Sequence, residues 1–107
     1  MKIDYVEFSS PDIGATKSFF SDAFGWQFND YGPEYQELAN AGIAGGIAAG
    51  ALQAPLIILR SDDLEAALEK VTAAGAEITK PIFDFPGGRR FEFREPGGTA
   101  MAVWSEN

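Results

Sequence analysis

Lys2-Ile3-Asp4-Tyr5-Val6-Glu7-Phe8-Ser9, then Ser10-Pro11-Asp12, then a helical run closing on Phe24-Gly25-Trp26: this opening stretch decides the fold. The first eight residues read as a strand. Successive side chains of a strand point to opposite faces, so Val6 and Phe8 share one face while Tyr5, Glu7 and Ser9 share the other. Ser10-Pro11-Asp12 is a helix start, with a serine to cap, a proline at the first helical position and an early aspartate suited to the helix dipole. Ile13, Phe19, Phe20, Ala23 and Phe24 recur at helical spacing and are expected to form a buried stripe. Gly25 is placed to end the helix in a left-handed cap.

The same plan starts again about 51 residues on. Pro55-Leu56-Ile57-Ile58-Leu59-Arg60 is a strand, apolar on both faces. Ser61 or Asp62 is expected to cap a second helix, with Asp62-x-x-Glu65 at capping-box spacing. Leu64, Ala67, Leu68, Val71 and Ala74 give its apolar stripe, and Gly75 stops it.

Between and after these units the chain punctuates itself with turns. Gln27 to Asp30 and Tyr35 to Ala39 are short strands flanking the turn Tyr31-Gly32-Pro33-Glu34. Ile43-Ala44-Gly45-Gly46-Ile47-Ala48-Ala49-Gly50-Ala51 is either a flexible loop or a bulged strand whose small side chains let something approach the backbone. Ala76 to Lys80 is a strand. Pro81 to Gly88 reads as an apolar loop ending in a turn. Positions 90 to 94 alternate strictly, with Phe91 and Phe93 turned to a core. Glu95-Pro96-Gly97-Gly98 is a turn, and Thr99 to Trp104 is the last strand. Both halves therefore read β-α-β-β-β, an internal repeat that constrains the fold strongly. The expectation is an α+β fold in one domain, 1–107, with modules of about 1–51 and 52–107.

Composition narrows the chemistry. The 107 residues include no cysteine and no histidine. Disulfides, thiolate sites, cysteine nucleophiles and a Ser-His-Asp triad are excluded, and the commonest general base and metal ligand is missing. A net charge of −8 argues against binding nucleic acid or an anionic membrane through a basic surface. No apolar run approaches the roughly 20 residues of a membrane span, and no charged-then-apolar signal segment opens the chain. A cytoplasmic location is the default expectation.

In order and spacing, these motifs resemble the vicinal oxygen chelate superfamily of glyoxalase I, bleomycin-resistance proteins and extradiol dioxygenases. The resemblance rests on the strand before Ser10-Pro11-Asp12, the helix with Phe19-Phe20, the exit Phe24-Gly25-Trp26, and the restart Arg60-Ser61-Asp62 leading to Ala74-Gly75-Ala76. It ends on Phe93-Arg94-Glu95-Pro96-Gly97-Gly98, where the family often has an Asp-Pro-Asp-Gly turn. It implies two βαβββ modules whose mixed sheet curls around a cavity, helices on the outer face, and commonly a homodimer. The family's enzymes usually hold one divalent metal through His, Glu or Gln. Carried over, those positions fall on Tyr5, Leu56, Ala102 and a place near Ile47 and Ala48. None is a good ligand for such a metal.

The expected ligand-binding set is Tyr5, Glu7, Ser9, Leu56, Ile58, Arg60, Glu92, Ala102 and Trp104. Glu7 either binds a cationic or hydrogen-bonding ligand, acts as a base, pairs with Arg60, or lies exposed at a strand edge. Arg60 points inward or sits at a rim. Arg90 and Glu92, opposite Phe91 and Phe93, either rim the cavity or are solvated. Trp104 shares the face of Ala102 and either stacks on a planar ligand or packs in a dimer contact. Trp26, Phe19 and Phe20 read as core. The leading expectation is a small-molecule binding protein with no metal or other cofactor, holding a planar or amphipathic ligand in a dimeric cleft. The alternatives are a metal-dependent glyoxalase- or dioxygenase-like enzyme using Glu7, and a dimeric interaction module with a vestigial cavity.

Overall fold

The computed structural model describes all 107 residues, Met1–Asn107. It is α+β, with eight strands and two helices in the order β1 (Lys2–Ser10), α1 (Ile13–Phe24), β2 (Phe28–Asp30), β3 (Tyr35–Leu38), β4 (Gly45–Ala49), β5 (Leu56–Arg60), α2 (Leu64–Ala73), β6 (Glu77–Phe85), β7 (Gly88–Arg94) and β8 (Ala100–Ser105). Both halves are thus βαβββ. Two compact units carry them, one of Tyr5–Leu56 and one of Met1–Asp4 with Ile57–Asn107.

Tyr5–Leu56 forms the strand order β2-β3-β4-β1. The β2–β3 hairpin reverses the chain once and the β3–β4 connection reverses it again, so β4 returns parallel to β1. The small-residue stretch is therefore a strand, fully paired on both sides, with Ile47 completely buried. In the other unit the strand order is β5-β8-β7-β6, with β5 parallel to β8 and the remaining pairs antiparallel. Counted from β1 or β5 the two sequences of pairing are the same, which is the internal repeat in three dimensions.

Both helices start through one device. In Ser10-Pro11-Asp12 the serine Oγ accepts from the Asp12 N–H at 3.0 Å, and Asp12 Oδ1 accepts from the Ala15 N–H at 3.1 Å. In Ser61-Asp62-Asp63 the corresponding distances are 3.2 Å and 3.0 Å, the latter to Ala66. The caps are Asp12 and Asp63 rather than Ser10 and Ser61 or Asp62. The reason in the first copy is that β1 runs through the buried Ser10, so its side chain braces the turn, and capping passes two residues on. Glu65 does not close a capping box; its carboxylate takes both Arg89 Nη atoms, at 2.7 and 3.0 Å. Gly25 ends α1 at φ 72°, donating to the Ser21 carbonyl, as the sequence requires.

The core of the second unit is Leu64, Ala67, Phe91, Phe93 and Val103, with Leu59, Leu68, Val71 and Ile78 packed around it. Phe91 and Phe93 point into it as the alternation demands. In the first unit the helix behaves differently. No residue of α1 is buried. Phe20 rests on Phe8 with ring centroids 5.3 Å apart and on Trp26 at 5.0 Å, but Phe19 is 60% and Phe24 55% exposed. The stripe of five is correct in period and too wide: only its Phe20 side meets the sheet, and Phe19 and Phe24 pack edge to face on each other outside it.

The 81–88 segment is also not the expected loop. β6 continues through Pro81 to Phe85, with register shifts between Ile78 and Lys80 and between Lys80 and Phe83. β6 is the outer strand of its unit, where proline's missing N–H and local bulges are tolerated.

Candidate functional site

The face of the first unit opposite α1 collects the polar residues. Pairing sets them in rows: Glu7, Gly46 and Glu37 lie side by side, and Ser9, Ala48 and Tyr35 form the next row. Tyr5, Glu7 and Ser9 thus share this face, as read from the strand alternation. Gly46 presents no side chain, and the hydroxyls of Tyr5 and Tyr35 meet above it in a short hydrogen bond. A Cβ on Gly46 would collide with both phenol oxygens. Tyr35 donates to Glu7 Oε2 at 3.3 Å. Glu37 accepts from Asn29 Nδ2 at 2.8 Å through Oε1.

A carboxylate accepts only, and a phenol has one proton, which Tyr35 directs between the Tyr5 oxygen and Glu7 Oε2. Burial raises the pKa of both phenols above the usual tyrosine range; their mutual bond opposes the rise for Tyr5 and adds to it for Tyr35, and the nearby Glu7 charge adds to it for both. Both stay neutral at physiological pH.

Beside this pair lies an open hollow of about 470 Å³, lined by Tyr5, Glu37, Leu38 and the 39–45 segment. Two glycines give this region its shape. Gly42 turns at φ 98°, and a Cβ on Gly45 would run into the Val6 carbonyl and the Leu38 side chain.

The second unit has its own polar face. Ile58, Ala102 and Glu92 form one row, and Arg60, Trp104 and Arg90 the next. Glu92 pairs with Arg90 at 2.8 Å, both side chains largely covered. Arg90 also stands over Phe83, 5.5 Å from the ring centroid. Trp104 donates from Nε1 to Asp4 Oδ2 at 2.8 Å. The Arg60 guanidinium covers the Trp104 ring at 5.0 Å while bonding Glu106 at 2.6 Å. Leu56 opens β5 on the alternation of Ile58 and Arg60.

The structure thus brings Tyr5, Glu7 and Ser9 together on one strand face of the first unit, and Ile58, Arg60, Glu92, Ala102 and Trp104 together on one strand face of the second. Sequence reasoning missed Tyr35, Glu37, Gly46 and Asp4. Tyr35 and Glu37 are two apart on a strand, a detectable signal, but the rows they join depend on the β3–β4 turn length. Registration also resolves the place near Ile47 and Ala48. Tyr5 corresponds to Leu56, hence Glu7 to Ile58; Glu7 pairs with Gly46 where Ile58 pairs with Ala102. The counterpart of Ala102 is Gly46, and Ile47 faces the other way into the core.

The positions that the resemblance assigns to metal ligands carry a phenol at Tyr5, an isobutyl group at Leu56 and a methyl group at Ala102, and the stretch near Ile47 and Ala48 carries only apolar side chains and glycine. No group of three Asp, Glu, His or Cys side chains is placed to hold a metal ion. The residues do not fit a divalent metal of the His- and Glu-ligated kind. No helix is long and apolar enough to cross a membrane.

Comparison with known proteins agrees with this architecture. A glyoxalase/bleomycin resistance protein/dioxygenase superfamily member from Vibrio splendidus 12B01 superposes with a TM-score of 0.74 at 15% identity, over 97% of both chains. The Mn(II)-bound glyoxalase from Novosphingobium aromaticivorans gives 0.72 at 23% identity, over 98% of this chain and 38% of that one. At these identities the likeness is one of fold. In sequence, the Mycobacterium tuberculosis protein named "Putative glyoxylase CFP32" is 26% identical over 118 aligned positions, 97% of this chain and 45% of that protein. The Streptomyces peucetius protein named "Anthracycline biosynthesis protein DnrV" is 26% identical over 94% of this chain and 45% of its own length. The chain spans about half the length of the curated relatives it matches. The model of one family covers residues 2–103, and the chain belongs to that family, the Glyoxalase/Bleomycin resistance protein/Dioxygenase superfamily.

Proposed function

We propose that the chain binds a small planar or amphipathic molecule without a metal, in a cleft completed by a second copy, in the manner of a sequestering protein rather than an enzyme. One observation supports this reading: the positions that the resemblance assigns to metal ligands offer no good donor at Tyr5, Leu56, Ala102 or the stretch near Ile47 and Ala48, while the strand face of each unit carries aromatic, hydrogen-bonding side chains in Tyr5, Tyr35 and Trp104. A few placed polar groups among apolar ones suit small-molecule binding. The name of DnrV supports the planar class, since anthracyclines are planar polycyclic compounds.

A second reading is favoured by the names of CFP32 and the Mn(II)-bound neighbour: a glyoxalase- or dioxygenase-like enzyme in which Glu7 helps hold the metal. A thermal melt of metal-stripped protein with and without Mn²⁺, Fe²⁺, Ni²⁺ and Zn²⁺, beside elemental analysis, separates the two. A ligand at 100 times its dissociation constant adds about 2.7 kcal/mol. The binding reading expects no stoichiometric metal and no shift. A bound metal whose shift disappears in Glu7→Gln would replace it with the enzyme.

A further inference from the structure

We propose that the strand face of the second unit takes an aromatic carboxylate, with the ring of the ligand on Trp104 and its carboxylate on Arg60 in place of Glu106. This rests on the reading of the chain as a binder of planar molecules and names the charge such a molecule carries.

Strand pairing sets Phe83, Arg90, Trp104 and Arg60 in one row across β6, β7, β8 and β5, so that rings and cations alternate. Each guanidinium lies over the ring beside it, Arg90 at 5.5 Å from the Phe83 centroid and Arg60 at 5.0 Å from that of Trp104. The two guanidinium groups differ in access. Arg90 is 18% exposed and bonded to Glu92, whereas Arg60 is 44% exposed. The Trp104 ring is fixed by its Nε1 bond to Asp4 at 2.8 Å and backed by Phe85 at 6.2 Å. An anchored ring beside a reachable guanidinium is a pre-organised platform for a planar anion.

A carboxylate already sits on this platform. Glu106 takes a single Nη of Arg60, at 2.6 Å, from a side chain that is 60% exposed. A guanidinium can present two parallel donors to a carboxylate, and that paired bond is stronger and more directional than a single one. A ligand carboxylate therefore offers Arg60 more than Glu106 does. Only side chains have to move to admit it: Glu106 lets go, the guanidinium swings off the indole, and the ring of the ligand takes its place there. The backbone that carries Glu106 stays pinned, because Asn107 accepts from Arg89 Nε at 2.7 Å and Gly88 lets the Ser105 carbonyl come closer than a Cβ would permit. Charge points to this unit as well. Of the eight basic side chains, all but Lys17 lie in it. A ligand cation in the same place would meet the Arg60 guanidinium at close range and be repelled.

The test uses the full chain, stripped of metal and titrated by calorimetry with 2-naphthoate and its neutral counterpart 2-naphthamide. Naphthoate is expected to bind about tenfold tighter than the amide. Arg60→Gln should erase that preference. Glu106→Gln should raise the affinity for naphthoate about threefold or more, because it removes the internal competitor. Glu69→Gln removes the same charge from an exposed position on α2 and should leave the affinity unchanged. Opposite signs at the two ends of one ion pair do not arise from lost packing, and both ends are exposed enough for the variants to fold. Equal or tighter binding of the amide overturns the anion and leaves the metal-free binder standing. A preference retained in Arg60→Gln, an affinity unchanged or lowered in Glu106→Gln, or an equal gain in Glu69→Gln also overturns it, as does no binding of either probe at millimolar concentration. Binding that appears only with added Mn²⁺ overturns both readings together.

Discussion

Tyr5 and Tyr35 are joined hydroxyl to hydroxyl across a strand that belongs to neither of them. Tyr5 is on β1 and Tyr35 on β3, with β4 between, and the two phenols meet because β4 puts Gly46 beneath them. The absence of one side chain creates the contact. With Glu7 accepting from Tyr35, a glycine, two phenols and a carboxylate make one connected unit.

Replacing Gly46 by alanine is expected to destabilise the chain by about 1–3 kcal/mol, the usual cost of overpacking, because the new Cβ would overlap both phenol oxygens. Gly14→Ala is the control. Gly14 lies in α1, and its Cβ would meet only Asp12 Oδ1 at 3.7 Å, an ordinary contact. Alanine there should gain up to about 1 kcal/mol from helix propensity. Urea denaturation of both variants checks the opposite signs.

The phenol pair also sets an alkaline limit. Its folded pKa values are raised, chiefly by burial, above an unfolded value of about 10. Between those values the native state holds more protons than the unfolded state, so stability falls as pH rises. The contribution is whole below about pH 10 and is lost above it. Denaturation midpoints at pH 8 to 11 should therefore drop beyond about pH 10, less steeply in Tyr35→Phe. Absorbance titration should show Tyr5 and Tyr35 ionising only as the protein unfolds.

How much of this was legible in the sequence depends on what each inference required. Strand alternation needs only the local chain, and it put Glu7 with Tyr5, and Trp104 with Ala102, on their faces. The caps were misplaced by one or two residues because the serine of each Ser-x-Asp start is used to brace the turn, a choice made by where the strand ends. The meeting of Tyr35 with Tyr5 over Gly46 could not be read from sequence, since the neighbouring rows that hold Tyr35 and Gly46 follow from β3–β4 registration. β6 was lost as a loop because Pro81 argues against a strand unless that strand is known to be the outer one.

The helix stripe gives the sharpest contrast between period and burial. Phe19 and Phe91 are both aromatic positions read as core, but Phe19 is 60% exposed and Phe91 fully buried. Phe91→Ala should cost about 3–5 kcal/mol. Phe19→Ser should stay within about 0.5 kcal/mol of the parent, with better solubility from the smaller apolar patch. Comparable losses in both variants would mean that α1 buries its outer aromatics after all.

Arg60 covers one face of the Trp104 ring, and a planar ligand can stack on that face only if Arg60 leaves it. The guanidinium lies 5.0 Å from the ring centroid and is held by Glu106 at 2.6 Å. Neither contact is strong. A cation–π pair at an exposed site is worth about 0.5–1 kcal/mol, and an exposed ion pair about 0–1 kcal/mol; Arg60 and Glu106 are 44% and 60% exposed. The cover is thus easily displaced. Arg60→Ala should make Trp104 more accessible to acrylamide, read against a Trp26→Phe background so that one indole reports. Glu106→Gln should do the same to a smaller degree, because it loosens the guanidinium without removing it. Unchanged quenching in Arg60→Ala would mean that the ring is shielded by something other than Arg60, and stacking on a ligand would then need a larger rearrangement than the swing of one side chain.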